Sequence, residues 1–79
     1  MKVNWCADSS NRVTCHDNSV IGLEESYLGR IWYNDDRTWG ASTGKGESVV
    51  ILGNAFNNGG VARRAVEAAV GGSQVNEWE

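Results

Sequence analysis

The sequence predicts an α+β fold: an antiparallel β-sheet of three to five strands with one α-helix packed on one face, in a single small domain over residues 1–79. Three observations carry this. Two aromatic-rich runs, Tyr27–Tyr33 and Thr38–Thr43, flank the turn formers Asn34, Asp35 and Asp36, which is the pattern of a β-hairpin. The run Ser48-Val-Val-Ile-Leu52 is continuously apolar and β-branched, as in a strand buried on both faces. Val61–Val70 places small apolar residues at helical spacing and ends on two glycines.

In chain order, Val3–Ala7 and Arg12–His16 are short β-type runs on either side of the turn cluster Asp8-Ser9-Ser10-Asn11, so a first hairpin is expected. Asp17, Asn18 and Ser19 close it. Val20–Glu25 fits a strand edge or a turn of helix equally well. In the central hairpin, strict alternation puts Leu28, Arg30 and Trp32 on one face and Tyr27, Gly29, Ile31 and Tyr33 on the other. One face is expected to meet the helix; the other either forms a partly exposed aromatic surface or packs under the N-terminal hairpin. Gly44, Lys45 and Gly46 read as a mobile linker to Ser48–Leu52, the expected central strand.

The helix is the best-signalled element. Asn57 or Asn58 can cap its free amides, and Gly71 or Gly72 can supply the left-handed residue that ends it. Ala62, Ala65, Val66, Ala69 and Val70 form the stripe that packs on the sheet, with Arg63, Arg64 and Glu67 opposite. Beyond it, Val75 and Trp78 allow an edge strand within Ser73–Glu79.

A chain of 79 residues buries only about two-thirds of its unfolded surface, which disfavours a deep substrate cleft. Four tryptophans help so small a core reach sufficiency. The start carries no apolar run of signal-peptide length and no window reaches membrane-spanning length, so a cytoplasmic protein with no membrane contact is expected. Reduced Cys6 and Cys15 follow from that compartment. Net charge is −3, and the six acids and three bases up to Asp36 account for all of it. Two lysines and five arginines lie scattered along the chain, which disfavours direct nucleic-acid binding and favours a basic protein partner.

No motif reaches the standard of a catalytic, metal or cofactor site. Cys6, Cys15, His16 and Asp17 have the right chemistry for zinc, but eight residues separate the cysteines, and Cys15 and His16 point apart on an extended backbone. The same divergence argues against a thiol–imidazole dyad. Gly40–Gly46 lacks the spacing, the hydroxyl and the following helix of a phosphate loop. Asp35 with Asp36, and Glu24 with Glu25, are adjacent carboxylates suited to turns or to exposed acidic contacts, not to paired acid–base work.

The runs Tyr33–Ser42, Ile51–Phe56 and Gly60–Val70 together resemble the strand, strand, strand, helix core of HicB-type antitoxins, over about half of the chain. That resemblance implies neutralisation of a small basic partner; the DNA-binding segment usual in that family has no counterpart here. The layout is also similar to the double-stranded-RNA-binding domain, without its basic helix start. In size, acidity and strand-plus-helix layout the chain resembles phage-encoded anti-CRISPR proteins. This last resemblance, the leading one, implies a non-enzymatic inhibitor of a bacterial CRISPR-Cas or similar nucleic-acid-handling complex, acting in the bacterial cytoplasm as a monomer or small homo-oligomer. Acidic groups would meet a basic nucleic-acid groove on the partner. The expected contact residues are Asp35, Asp36, Glu24 and Glu25 for charge, and Trp32, Tyr33 and Trp39 as aromatic anchors; no catalytic residue, metal or cofactor is expected. A small metal-binding or thiol protein is the remaining reading.

Overall fold

The computed structural model describes residues 1–74. Lys2–Ser9 (β1) and Arg12–Asp17 (β2) form a hairpin, and Leu23–Ser26 makes one helical turn (α1). Tyr27–Tyr33 (β3) and Trp39–Thr43 (β4) form the second hairpin; a 3₁₀ turn at Gly46–Ser48 leads to Val50–Phe56 (β5), then Gly59–Val70 (α2) and Ser73–Gln74 (β6). The six strands make one sheet in the order β5-β4-β3-β2-β1-β6. Every neighbouring pair is antiparallel except β1 and β6, which are parallel.

The fold is thus α+β with its helix on one face, but the sheet is mixed and larger than three to five antiparallel strands. Connectivity explains both differences. Successive hairpins stack β3, β4 and β5 outward, so β5 ends at one edge, and β6 joins the sheet at the other, beside β1. A twelve-residue α2 reaches about 18 Å, enough to carry the chain across the sheet to β1. A strand entered by such a crossover runs parallel to its neighbour. Val75 and Trp78 lie outside the described residues.

The same logic corrects the expected central strand. Val50 and Ile51 are 55% and 58% exposed because β5 is the outermost strand, not an inner one. The centre is held instead by Ile31 and Gly29 of β3 and Cys15 of β2, all buried. The Gly44–Gly46 segment is an ordered connection and not a mobile linker: Gly44 N–H donates to Leu28 O at 2.8 Å, and Ser48 N–H to Lys45 O at 3.0 Å.

α2 forms as its end signals require. The Asn58 side chain accepts from Val61 N–H at 2.9 Å, and Gly71 takes the left-handed conformation at φ 71°. Ala62 and Val66 are fully buried against Val3, Trp5, Cys15, Ile31 and Ala41. Gly29 permits the close approach, since a Cβ there would sit 3.3 Å from Val66 Cγ1 and press on the β4 backbone. Ala69, expected on this stripe, is exposed, and Glu67, expected on the solvent side, is half-buried. The helix is rotated on the sheet so that Ala62, Val66 and Val70 make the contact.

Candidate partner-binding surface

With α2 on one face, the opposite face of the sheet is open, and its residues follow from the register. Cys6 pairs with Thr14, Thr14 with Arg30, Arg30 with Ser42 and Ser42 with Ile51, one row across five strands. A second row joins Asn4, His16 and Tyr27. Cys15 pairs with Gly29 but His16 pairs with Tyr27, so Leu28 is an extra residue in β3. This bulge overturns the strict alternation expected for Tyr27–Tyr33: Leu28 turns to the core, and Tyr27 joins Arg30 beside the same basin.

Segment 18–26 rises from the end of this face as a held loop. Asn18 N–H donates to Lys2 O at 2.9 Å, and Ser19 N–H and Oγ–H both donate to Asp17 Oδ1 at 3.0 and 2.8 Å. Those bonds keep the Asp17 carboxyl below the usual carboxylate range. At the other end, buried Ser26 Oγ lies 2.9 Å from His16 Nδ1, while His16 Nε2 lies 2.9 Å from Thr14 Oγ1. The His16 ring stands edge-on to Tyr27, with centroids 5.9 Å apart. Lys45 Nζ donates to Glu24 O at 2.6 Å, tying α1 to the β4–β5 connection.

What the loop displays is aliphatic. Ile21 is 97% exposed, Leu23 74% and Val20 40%, directly beside exposed Glu24 and Glu25. Leu23 also walls a hollow with Cys6, Thr14, His16 and Tyr27, so the loop and the open face form one continuous surface. A neighbouring basin is lined by Arg12, Thr14, Tyr27, Arg30, Ser42 and Lys45. Its cations are engaged: Arg12 pairs with Asp8 at 2.6 Å, Arg30 stacks 5.6 Å from the Trp32 ring, and Lys45 bonds Glu24 as above.

The seven residues expected to make contact do not form a single patch. Glu24 and Glu25 lie in the loop. Asp35 and Asp36 lie past the far end of β3, about 20 Å away along a seven-residue strand. Asp36 is occupied within the turn, where Thr38 N–H and Oγ–H donate to its Oδ1 at 3.1 and 2.6 Å and keep its carboxyl below the usual range. Trp32 lies over β4 on the open face, its indole N–H donating to Asn54 Oδ1 at 3.0 Å. Tyr33 and Trp39 pair on the other face, centroids 5.0 Å apart, and Trp39 packs against the start of α2 at Gly59. The aliphatic loop residues Val20, Ile21 and Leu23 were not among the expected contacts. Their signal was present as an aliphatic run next to two glutamates, but neither helical nor strand period identifies it.

Cys6 and Cys15 are both free thiols. Cys6 belongs to the open face, whereas Cys15 is buried under α2. Among the described residues, no three His, Cys, Asp or Glu side chains group to hold a metal ion, and no helix is long and apolar enough to cross a membrane. No protein-family model, curated protein or solved structure matches the chain.

Proposed function

We propose that the chain is a non-enzymatic protein-binding module that docks through the 18–26 loop and the adjoining open sheet face. The observation that carries this is the loop itself: three aliphatic side chains held out in solvent on a segment fastened at both ends. Exposing Ile21 and Leu23 forgoes about 1.5–3 kcal/mol of burial for each side chain, which a partner recovers on binding. The fastening reduces the ordering entropy that binding would otherwise cost.

Glu24 and Glu25 border the aliphatic knob, so the partner surface that fits is an apolar pocket rimmed by Lys or Arg. A nucleic-acid-handling complex offers such rims, and the leading specific reading is inhibition of a bacterial CRISPR-Cas or similar complex in the cytoplasm by occupying its nucleic-acid-binding surface or preventing its assembly. A second reading, a HicB-like module neutralising a small basic partner, draws on the contiguous order β3-β4-β5-α2. Purified defence complexes and small basic toxins, each titrated with the chain, separate the two. The expected result is binding that Ile21→Asp or Leu23→Asp abolishes and that weakens with salt and with Glu24→Lys/Glu25→Lys. Binding unchanged in all these variants would defeat the loop assignment, and a chain that binds neither class would defeat both partner readings.

A further inference from the structure

Strand β5 has the sequence of an inner strand and the position of an outer one. Val49, Val50 and Ile51 are 41%, 55% and 58% exposed, while one edge of β5 pairs with β4 and the other pairs with no strand among the described residues. Edge strands in natural sheets are usually defended by charge, proline or bulges; Ser48–Phe56 contains no charged residue and no proline, and its bulges against β4 begin only after Ile51. Ile51 continues the open-face row from Ser42, and Val50, its neighbour in the strand, projects to the other face, so an added strand would cover aliphatic surface on both faces.

We propose that β5 pairs antiparallel with β5 of a second copy about a two-fold axis, joining two six-stranded sheets into one. A self-pairing strand must be complementary to itself, and this one is: with no charged side chain from Ser48 to Phe56, no register sets like charges opposite one another. The pairing makes the aliphatic run buried on both faces, as its composition requires. Register shifts against β4 between Ala41 and Ser42 and between Trp39 and Ala41 make Leu52 an extra residue and bend β5 from there on, so the pairing segment is the extended start, Val49 to Ile51. So short a ladder, with few side chains around it, makes a dimer that dissociates on dilution and not an obligate one. Two-fold closure uses the edge completely and stops at two copies.

The test is sedimentation of the full chain from low micromolar to near-millimolar concentration, with amide hydrogen exchange over residues 49–51 at the same concentrations. The expected result is a doubling of mass with concentration and slower exchange at 49–51 in parallel. Val50→Lys/Ile51→Lys, at two already exposed positions, is expected to stay monomeric throughout with unchanged circular dichroism; the exchange measurement decides the matter without any variant should that one misfold. A chain that stays monomeric, a dimer unaffected at 49–51, or mass that grows without limit would each overturn the proposal. None of these readouts involves the 18–26 loop.

Discussion

The indole N–H of Trp5 donates to Glu67 Oε2 at 3.0 Å, joining the first strand to the last turn of α2 across 62 residues of sequence. Trp5 is 4% exposed, so this bond turns a buried polar N–H into a satisfied one and explains why an acid sits on the sheet side of the helix. Trp5→Phe and Glu67→Ala are each expected to cost about 1–3 kcal/mol, the first by leaving the half-buried Glu67 carboxylate without its donor and the second by leaving the buried indole N–H without an acceptor. Glu67→Gln keeps an acceptor and should cost less. Urea unfolding of the two single variants and the double variant checks this; additive losses would mean that the bond contributes nothing of its own.

Glu67 also acts on Cys15. Burial chiefly, with the charge of Glu67 and a contribution from Cys6, pushes the Cys15 thiol from 9.0 up to about 12. Below pH 9 the thiol is protonated in both folded and unfolded chains, and the stabilisation is intact. Between about 9 and 12 the unfolded chain releases the proton and the folded chain keeps it, so stability falls as pH rises, by at most about 1.4 kcal/mol per pH unit. Tyr27, also raised by desolvation, acts in the same direction. Urea midpoints at pH 8, 9.5 and 11 should show this decline, and Cys15→Ala should flatten it. Equal slopes for the two proteins would rule out Cys15 as its source.

The contrast between α2 and β5 shows what local sequence encodes. The helix was legible because Asn58, Gly71 and the spacing of Ala62, Val66 and Val70 all act within a few residues of one another. Its rotation was not, because the Trp5–Glu67 bond is a long-range fact. The apolar run of β5 identified a strand, but the order of strands follows from how hairpins and the α2 crossover connect, which no period records. Tyr27 reached the open face through one extra residue at Leu28, and a bulge leaves no mark on composition. Glu24 and Glu25 were visible as candidates, whereas the aliphatic residues beside them were not, since only tertiary structure shows that none of the described residues covers Ile21.

Gly40 makes room for Trp32. The two residues are cross-strand partners, and a Cβ built on Gly40 would overlap the Trp32 indole. The ring therefore lies flat on β4, within reach of Asn54 and under Arg30. Gly40→Ala should displace the indole and destabilise the fold by about 1–3 kcal/mol, the range for forced overpacking. Trp32→Ala in the same background should remove most of the additional cost. Thermal melts of the three variants read this directly, and a harmless Gly40→Ala would contradict it.

Arg37 is the one non-glycine residue with positive φ among those described, at 70°. It follows a turn in which Arg37 N–H donates to Asn34 O at 3.1 Å, and Asn34 N–H then donates to Thr38 O at 2.8 Å. A left-handed residue after such a turn closes the hairpin, and glycine is the usual occupant. Arg37→Gly is expected to raise stability by about 0.5–1 kcal/mol, the relief of backbone strain being partly offset by the greater freedom of glycine in the unfolded chain. Arg37→Ala, which keeps the strain, should be neutral within about 0.5 kcal/mol. If alanine matched glycine, the gain would belong to the lost charge and not to the backbone.

Ser26 and His16 fasten the second end of the 18–26 loop. Ser26 Oγ lies within hydrogen-bonding distance of both His16 Nδ1 and Leu23 O, at 2.9 and 3.3 Å, beneath the exposed side chains of Ile21 and Leu23. Ser26→Ala strips one ring nitrogen of its partner in a buried site, at a cost of about 1–3 kcal/mol if the fold stays closed there. Opening the loop so that water replaces the hydroxyl is cheaper than sustaining that cost, so the loss should appear as local opening. Hydrogen exchange at the Ser26 amide, which donates to Gly22 O at 3.1 Å, should accelerate more than exchange at Ile31 in the core. Ile21→Ser, by contrast, removes an exposed side chain and should change neither exchange nor stability beyond about 0.5 kcal/mol. If Ser26→Ala accelerated exchange equally at both sites, the hydroxyl would be supporting the whole fold and not this end of the loop in particular.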